Sequence, residues 1–293
     1  MCRVGSRSSE HFTEATISTS LPDNHSPESA YANIKMPRLL DLLHLEETNH
    51  DVFRAKTIFE DPINLYGGQV AAQALRAAGT TVPQGRTPHS FHCYFLRAGD
   101  PRLPVDYFVN RDRDGRAYSA RTVSAMQDGR EILTMSTSFH VEEEGPDIQP
   151  SGIPDVLYPD DPRAKPMKTR TVDIDYRDPR LVAEDTMVRQ IWAKATVDLG
   201  DDPLLHACVT AYVSDMFTGL FTLTPRRNDV ALSSLDHAMW FLRPARADEW
   251  FFMELFGESL NGGRGLYSGS MFNEHGELIA RIMQESLFRA RKH

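Results

Sequence analysis

The sequence predicts an α+β protein made of two copies of one unit, each a helix followed by antiparallel strands, and three observations carry that reading. The order of helix-like and strand-like segments repeats in the two halves. A motif recurs as well: residues 91–97, Phe-His-Cys-Tyr-Phe-Leu-Arg, lie over residues 237–243, His-Ala-Met-Trp-Phe-Leu-Arg, an offset of 146 (237 against 91). The turn glycines Gly129 and Gly276 stand 147 apart, and chance similarity does not keep an offset so nearly constant across two separate elements.

Residues 1–36 are rich in Ser, Thr, His and Asn and carry no sustained apolar period, so they predict a flexible leader. Gly67-Gly68-Gln69 opens a helix through Ala78, with Val70, Ala71, Ala74, Leu75 and Ala78 at helical spacing. Strands are predicted over 89–96, 105–110, 117–126 and 132–141, the last two joined by the hairpin turn Gln127-Asp128-Gly129-Arg130. A polar stretch from Val141 to about Pro166, with Glu142-Glu143-Glu144 and many prolines and glycines, predicts an interdomain linker. Beyond it, strands over 172–176 and 190–197 precede a helix over 206–222. Strands over 232–242, 250–258, 266–273 and 278–288 complete the second half, with Glu274-His275-Gly276-Glu277 where the Asp-Gly turn stood before. The predicted boundaries are thus 1–36 leader, 37–142 first unit, 143–166 linker and 167–293 second unit.

Composition narrows the function. At 41% hydrophobic and 25% charged residues the chain is ordinary globular material, able to bury a core over its 293 residues. A net charge of -9 argues against a nucleic-acid surface, which needs a positive field. Cys2, Cys93 and Cys208 are odd in number and form no CxxC pair, so neither a disulfide framework nor a cysteine zinc site is expected, and a reducing cytoplasm fits best. No run of about 18 apolar residues predicts membrane insertion. There is no HExxH, no P-loop and no complete dinucleotide fingerprint, so neither a metal nor another cofactor is expected.

Four segments together resemble the TesB-type acyl-CoA thioesterase II family: Leu65-Tyr-Gly-Gly-Gln-Val-Ala-Ala-Gln-Ala-Leu75, His89-Ser-Phe-His-Cys-Tyr-Phe-Leu-Arg-Ala-Gly99, Leu235-Asp-His-Ala-Met-Trp-Phe241 and Gln284-Glu285. The resemblance runs from about Pro37 to Arg289. It implies a double hotdog fold, two antiparallel sheets each wrapped around a long central helix and joined edge to edge, and an enzyme that hydrolyses fatty acyl-CoA to free fatty acid and CoA. The family attributes that chemistry to an Asp on the second long helix, a Thr or Ser before the Asp-His strand motif and a Gln on the last strand. The matching positions here are Asp215, Ser234 and Gln284. Many relatives carry Thr where this chain has Ser234, which keeps the hydroxyl and gives up the β-branch that stiffens χ1.

Read as chemistry, Asp215 lies within a largely buried helix, where a carboxylate needs hydrogen-bonding partners that also tune its pKa. Strand alternation puts Gln284 on one face with Leu278, Ala280 and Ile282, where it interrupts an apolar series. Its amide can position a water but cannot take a proton at neutral pH. The absence of Gly-x-Ser-x-Gly argues against a serine nucleophile. The expected mechanism is therefore direct attack by water, with Asp215 as general base and Ser234 and Gln284 holding the water. Backbone N–H groups at Gly67, Gly68 and Gln69, at a helix start, are the expected oxyanion donors, although the glycines also suit plain close packing. His89, His92 and His237 lie on strands and read first as core or interface residues. Arg116 and Arg264 occupy matching places in the two halves and are candidate contacts for CoA phosphates. Exposed sheet edges predict a homodimer or homotetramer. The alternatives are a double-hotdog enoyl-CoA hydratase or dehydratase, and an acyl-CoA-binding protein without activity.

Overall fold

The computed structural model describes residues 38–56, 65–150, 152–167, 169, 173–180, 189–224 and 230–290, so the predicted leader lies outside the described residues. The first half contains helix α1 (Leu39–Leu43), strands β1 (Glu46–Asn49) and β2 (Val52–Ala55), and helix α2 (Gly67–Thr80). Strands β3 (Arg86–Phe95), β4 (Val105–Asp114), β5 (Tyr118–Gln127) and β6 (Arg130–Val141) follow. Then come β7 (Lys165–Pro166), β8 (Ile174–Asp178), β9 (Arg189–Ala195) and helix α3 (Pro203–Ser214). Strands β10 (Val230–Ser234), β11 (Asp236–Phe241), β12 (Phe251–Asn261), β13 (Arg264–Asn273) and β14 (Leu278–Ala290) end the chain.

The strands form one antiparallel sheet in the order β1-β2-β4-β5-β6-β3-β11-β14-β13-β12-β9-β8-β7, with β10 also paired to β14. Alternation explains its two faces: β5 buries every second residue, including Ser119, Arg121, Val123 and Ala125. The β5–β6 turn has Asp128 at φ 47° and Gly129 at φ 70°, two successive left-handed residues of the kind a tight hairpin needs. The halves meet where β3 pairs with β11, His237 opposite Cys93. The repeat reaches single hydrogen bonds. Arg97 Nη1 donates to the Glu131 carbonyl at 2.6 Å and Arg243 Nη1 to that of Leu278 at 2.7 Å. Likewise Leu96 N–H reaches Ile132 O at 2.9 Å and Leu242 N–H reaches Ile279 O at 2.8 Å.

Helix α2 is nearly all small residues, and Ala71, Ala72, Ala74, Leu75, Ala77 and Ala78 are fully buried. That composition lets α3 lie close against it, antiparallel: Tyr66 meets Tyr212 edge to face at 5.0 Å, while at the other end Arg76 pairs with Asp202 at 2.5 Å. A Cβ on Gly68 would come within 2.7 Å of the Tyr212 carbonyl, and one on Gly79 within 2.4 Å of Leu204. The glycines at these two points are the condition for the helix pair.

Two expectations need correcting. The predicted helix over 206–222 starts earlier and stops sooner. Asp202 caps it, accepting the Leu204 N–H at 3.0 Å, and Pro203 fills the first position, where its missing N–H costs nothing. It ends at Ser214, and only a 3-10 turn at Leu220–Thr222 resumes helical geometry. The polar stretch before the second half also packs more than its composition suggested. Ile153 and Val156 join Trp192, Phe252, Phe272 and Leu278 in a small second core, and Trp192 Nε1 donates to the Leu157 carbonyl at 2.9 Å.

Candidate active site

The early stop of α3 places Asp215 at the C-cap, with φ -96° and ψ 2°, rather than within the helix. Because α2 runs antiparallel, the last turn of α3 faces the first turn of α2, and Asp215 is held where the α2 N-terminus offers unpaired N–H groups. Gly68 N–H bonds to its carboxylate. Gly67 makes the approach possible, since a Cβ there would stand 2.8 Å from Asp215 Oδ2 and 2.9 Å from Phe95.

Two strands supply the other side chains. Ser234 is the last residue of β10, just before the chain breaks step at Leu235 and resumes as β11. At that break the Asp236 carboxylate accepts the Glu285 N–H at 2.7 Å, which pins β14 beside it. Gln284 lies on the inward face of β14 and is 3% exposed. Its Nε2 donates to Asp215 Oδ1 at 2.8 Å and to Ser234 Oγ at 2.7 Å, and Ser234 Oγ donates to Asp215 Oδ1 at 3.4 Å. The three side chains, 69 residues apart at the extremes (284 against 215), therefore form one hydrogen-bonded cluster.

Burial pushes the Asp215 carboxyl up from its ordinary pKa, against the hydrogen bonds from Gln284, Gly68 and Ser234, which favour the ionised form. Buried phenols crowd around it. The Tyr66 hydroxyl is held well above its ordinary value by burial and then by the charge of Asp215, and donates to the Tyr212 carbonyl at 2.7 Å. Tyr267, opposite Gln284 on β13, is raised for the same reasons. A carboxylate partly shielded from water, with hydrogen-bond donors on one side and aromatic walls on the other, can serve as a base poised above the usual carboxylate range.

Other sequence candidates lie elsewhere or are otherwise engaged. Gln69 N–H is taken by the Tyr66 carbonyl at 3.1 Å in the first helical turn, so of the three expected oxyanion donors it is already spent. Arg264 is exposed and paired with Glu285 at 3.0 Å. Arg116 is exposed in the β4–β5 turn, where its carbonyl accepts from Arg86 at 3.3 Å. His89 Nε2 lies 2.8 Å from Ser138 Oγ, and His92 Nε2 lies 2.9 Å from Asp236. His237, in contrast, is fully buried beside the cluster, with Nε2 2.7 Å from Ser214 Oγ. The sequence reading left out Ser214, Asp236, Tyr66 and Tyr212, for which only position next to Asp215, His237 or Gly67 gave any signal. Among the described residues no group of three His, Cys, Asp or Glu could hold a metal, and no helix is long and apolar enough to cross a membrane.

Comparison with known proteins gives this geometry a context. Residues 61–140 match a family model described as the acyl-CoA thioesterase N-terminal domain, and residues 150–288 one described as the acyl-CoA thioesterase C-terminal domain. Acyl-coenzyme A thioesterase 8 of Homo sapiens is 32% identical over 285 residues, covering 85% of this chain and 88% of its own. The crystal structure of an acyl-CoA thioesterase II, TesB2, from Mycobacterium marinum has a TM-score of 0.73 at 34% identity, covering 86% of this chain and 97% of that one. A protein of unknown function with a hot dog fold from Alicyclobacillus acidocaldarius superposes with a TM-score of 0.72 at 18% identity, covering 86% of this chain and 98% of that one, a likeness of fold alone. With matched models over most of its length and relatives above 30% identity along nearly all of theirs, the chain belongs to the TesB-type acyl-CoA thioesterase II family.

Proposed function

We propose that this protein hydrolyses fatty acyl-CoA to free fatty acid and CoA by direct attack of a water that Asp215 deprotonates. The single observation that carries the reading is the closed triangle of Asp215, Ser234 and Gln284, with contacts of 2.8, 2.7 and 3.4 Å, at the start of α2. A water seated against Asp215 Oδ1 and Ser234 Oγ gives its proton to the carboxylate as its oxygen bonds to the thioester carbonyl carbon. Collapse of the tetrahedral species then breaks the carbon–sulfur bond and expels the CoA thiolate, which takes up the proton held by Asp215 and so restores the carboxylate. Gln284 spends both amide hydrogens on Asp215 and Ser234, so its part is to aim the base and the hydroxyl rather than to hold the water by its NH2 group. The oxyanion is assigned to the N–H at Gly67, where the positive end of α2 favours negative charge, since the Gly68 N–H is turned to the Asp215 carboxylate.

The wider reading follows from the same family. The continuous sheet is taken as two hotdog units, 37–142 and 167–293, each wrapped around its own long helix and joined through β3 and β11, with 143–166 as the connection. Assembly as a homodimer or homotetramer, a cytoplasmic location and a role for Arg116 and Arg264 at the CoA phosphates belong to this proposal too. What supports a phosphate contact is position at matching β-turns; the Glu285 carboxylate beside Arg264 weighs against that residue.

The test is release of free CoA from acyl-CoA esters of graded chain length, comparing the wild type with Asp215→Asn. Removing a general base lowers kcat by about 10²-fold or more. Equal rates in the two proteins take Asp215 out of the mechanism, and no hydrolysis of any ester by the wild type removes the reading itself.

A further inference from the structure

Behind Gln284 stands a second layer of hydrogen bonding that the mechanism above does not use. His237 is fully buried on the inner face of β11. The β11–β14 register pairs Ala238 with Met283, the residues that adjoin His237 and Gln284, and the Gln284 side chain acts on the His237 ring. Ring atom Nε2 lies 2.7 Å from the hydroxyl of Ser214, the residue immediately before Asp215. The other ring nitrogen, Nδ1, is buried without an aligned hydrogen-bond partner, and so is Gln284 Oε1. The Gln284 side chain nonetheless bears on the ring, favouring its protonated form.

Proton counting decides how these atoms are used. Gln284 Oε1 can only accept, and Nδ1 donates only if it carries the ring proton. The Ser214 hydroxyl has one hydrogen and two acceptors in reach, the Ala211 carbonyl at 2.8 Å and His237 Nε2 at 2.7 Å. If that hydrogen goes to Ala211, Nε2 must hold the ring proton, and two buried lone pairs then face each other with no donor between them. If it goes to Nε2, the ring proton sits on Nδ1 and points at Gln284 Oε1, and both orphaned atoms are relieved by a small shift. Burial disfavours the doubly protonated ring.

We propose that His237 is a positioning residue for this site: as the Nδ1–H tautomer, held from behind by the Ser214 hydroxyl, it fixes the Gln284 amide with its oxygen toward the ring and its NH2 toward Asp215 and Ser234. The orientation matters because a flipped amide would set Oε1 against the Asp215 carboxylate, acceptor against acceptor at the 2.8 Å now spanned by a donated hydrogen. The proposal rests on the reading that Gln284 serves hydrolysis.

The test uses the two amides that mimic one ring nitrogen each. In His237→Asn the side-chain NH2 falls near the position of Nδ1, and in His237→Gln near that of Nε2. Steady-state hydrolysis by the full chain should show kcat reduced about 10- to 100-fold in His237→Ala and His237→Gln with KM little changed, the scale of misplacing a reacting group. His237→Asn should recover most of that loss. The double variant His237→Ala with Gln284→Ala should be no slower than Gln284→Ala alone, since one residue acts through the other. Histidine-selective 15N NMR of the wild type, assigned by the signal lost in His237→Asn, should show the proton on Nδ1, and this readout holds even if His237→Ala does not fold. A ring protonated on Nε2, a Gln variant faster than the Asn variant, or losses that multiply in the double variant would each overturn the proposal. Full activity in Gln284→Ala would instead sink the hydrolytic reading of the site, whereas a slow Gln284→Ala with independent His237 effects would sink only this inference.

Discussion

Asp215 titrates under opposed influences, and the balance fixes a pH profile. Burial raises its pKa, while donors from Gln284, Gly68 and Ser234 pull it back without restoring the ordinary value. A general base works only when unprotonated, so kcat/KM should climb with pH through the folded-state pKa of this one carboxyl, with a unit slope and a midpoint above the usual carboxylate range. Gln284→Ala removes a bond that favours the charged form, which raises that pKa further, so the limb should move to higher pH as the plateau falls. Ser234→Ala should move it the same way by less, its 3.4 Å bond being the longer. For stability the sign is reversed. A carboxyl whose pKa is raised by folding contributes its stability below the unfolded value, and that contribution is lost as pH rises through the folded pKa. Asp215→Asn should therefore melt no earlier than the wild type at neutral pH, while its activity collapses. A limb at the ordinary carboxylate position, or one unmoved by Gln284→Ala, would show that these groups do not share a charge.

The same residue depends on where α3 begins and ends. Asp202 accepts the Leu204 N–H at the N-terminus and pairs with Arg76 at 2.5 Å, so Asp202→Ala removes a cap worth about 1 kcal/mol, the half-exposed ion pair adding little. Asp215 stands at the opposite end of that helix, so the variant should melt earlier by calorimetry with kcat nearly unchanged. A large loss of kcat would mean that the cap sets the position of the whole helix. The expected start at His206 passed over Leu204 and Leu205, which are apolar, and the local start signal that Asp202-Pro203 carries. The helix end was not legible at all. Met216, Phe217 and Leu220 continue the apolar series, and the helix stops before them because its last turn meets α2 and Gly219 runs so close to β12 that a Cβ there would stand 2.9 Å from the Phe256 backbone, a tertiary constraint with no local signal. The strands were easier, since alternation and left-handed turn residues are local properties. Gln284 stood out by breaking an apolar face, whereas its distance to Asp215 depended on register between elements far apart in sequence.

Across the whole molecule the duplication raises the question of a second site. The counterpart of Asp215 at the C-cap of α2 is Thr81, and the residue 147 before Gln284 is Thr137. Neither the carboxylate nor the amide is repeated. In their place the fully buried Arg121, opposite Thr137 in the β5–β6 register, fills the space. It donates to Thr81 Oγ1 at 2.8 Å, to the Thr81 carbonyl at 3.1 Å and to Asp114 at 2.9 Å. A guanidinium seated this way closes the end of α2 just as the active carboxylate leaves the end of α3 open to chemistry, so one chain should bind one substrate productively. Calorimetric titration with a non-hydrolysable acyl-CoA analogue should give one equivalent per chain. Arg121→Ala should lower stability by about 3 kcal/mol, the low end for breaking a buried pair, because solvent reaches Asp114 and takes over part of its partner's role. Hydrolysis per folded chain should persist, since Thr81 and Asp215 lie at opposite ends of the antiparallel helix pair. Two equivalents per chain, or loss of hydrolysis in a folded Arg121→Ala, would show that the first half keeps a working site of its own.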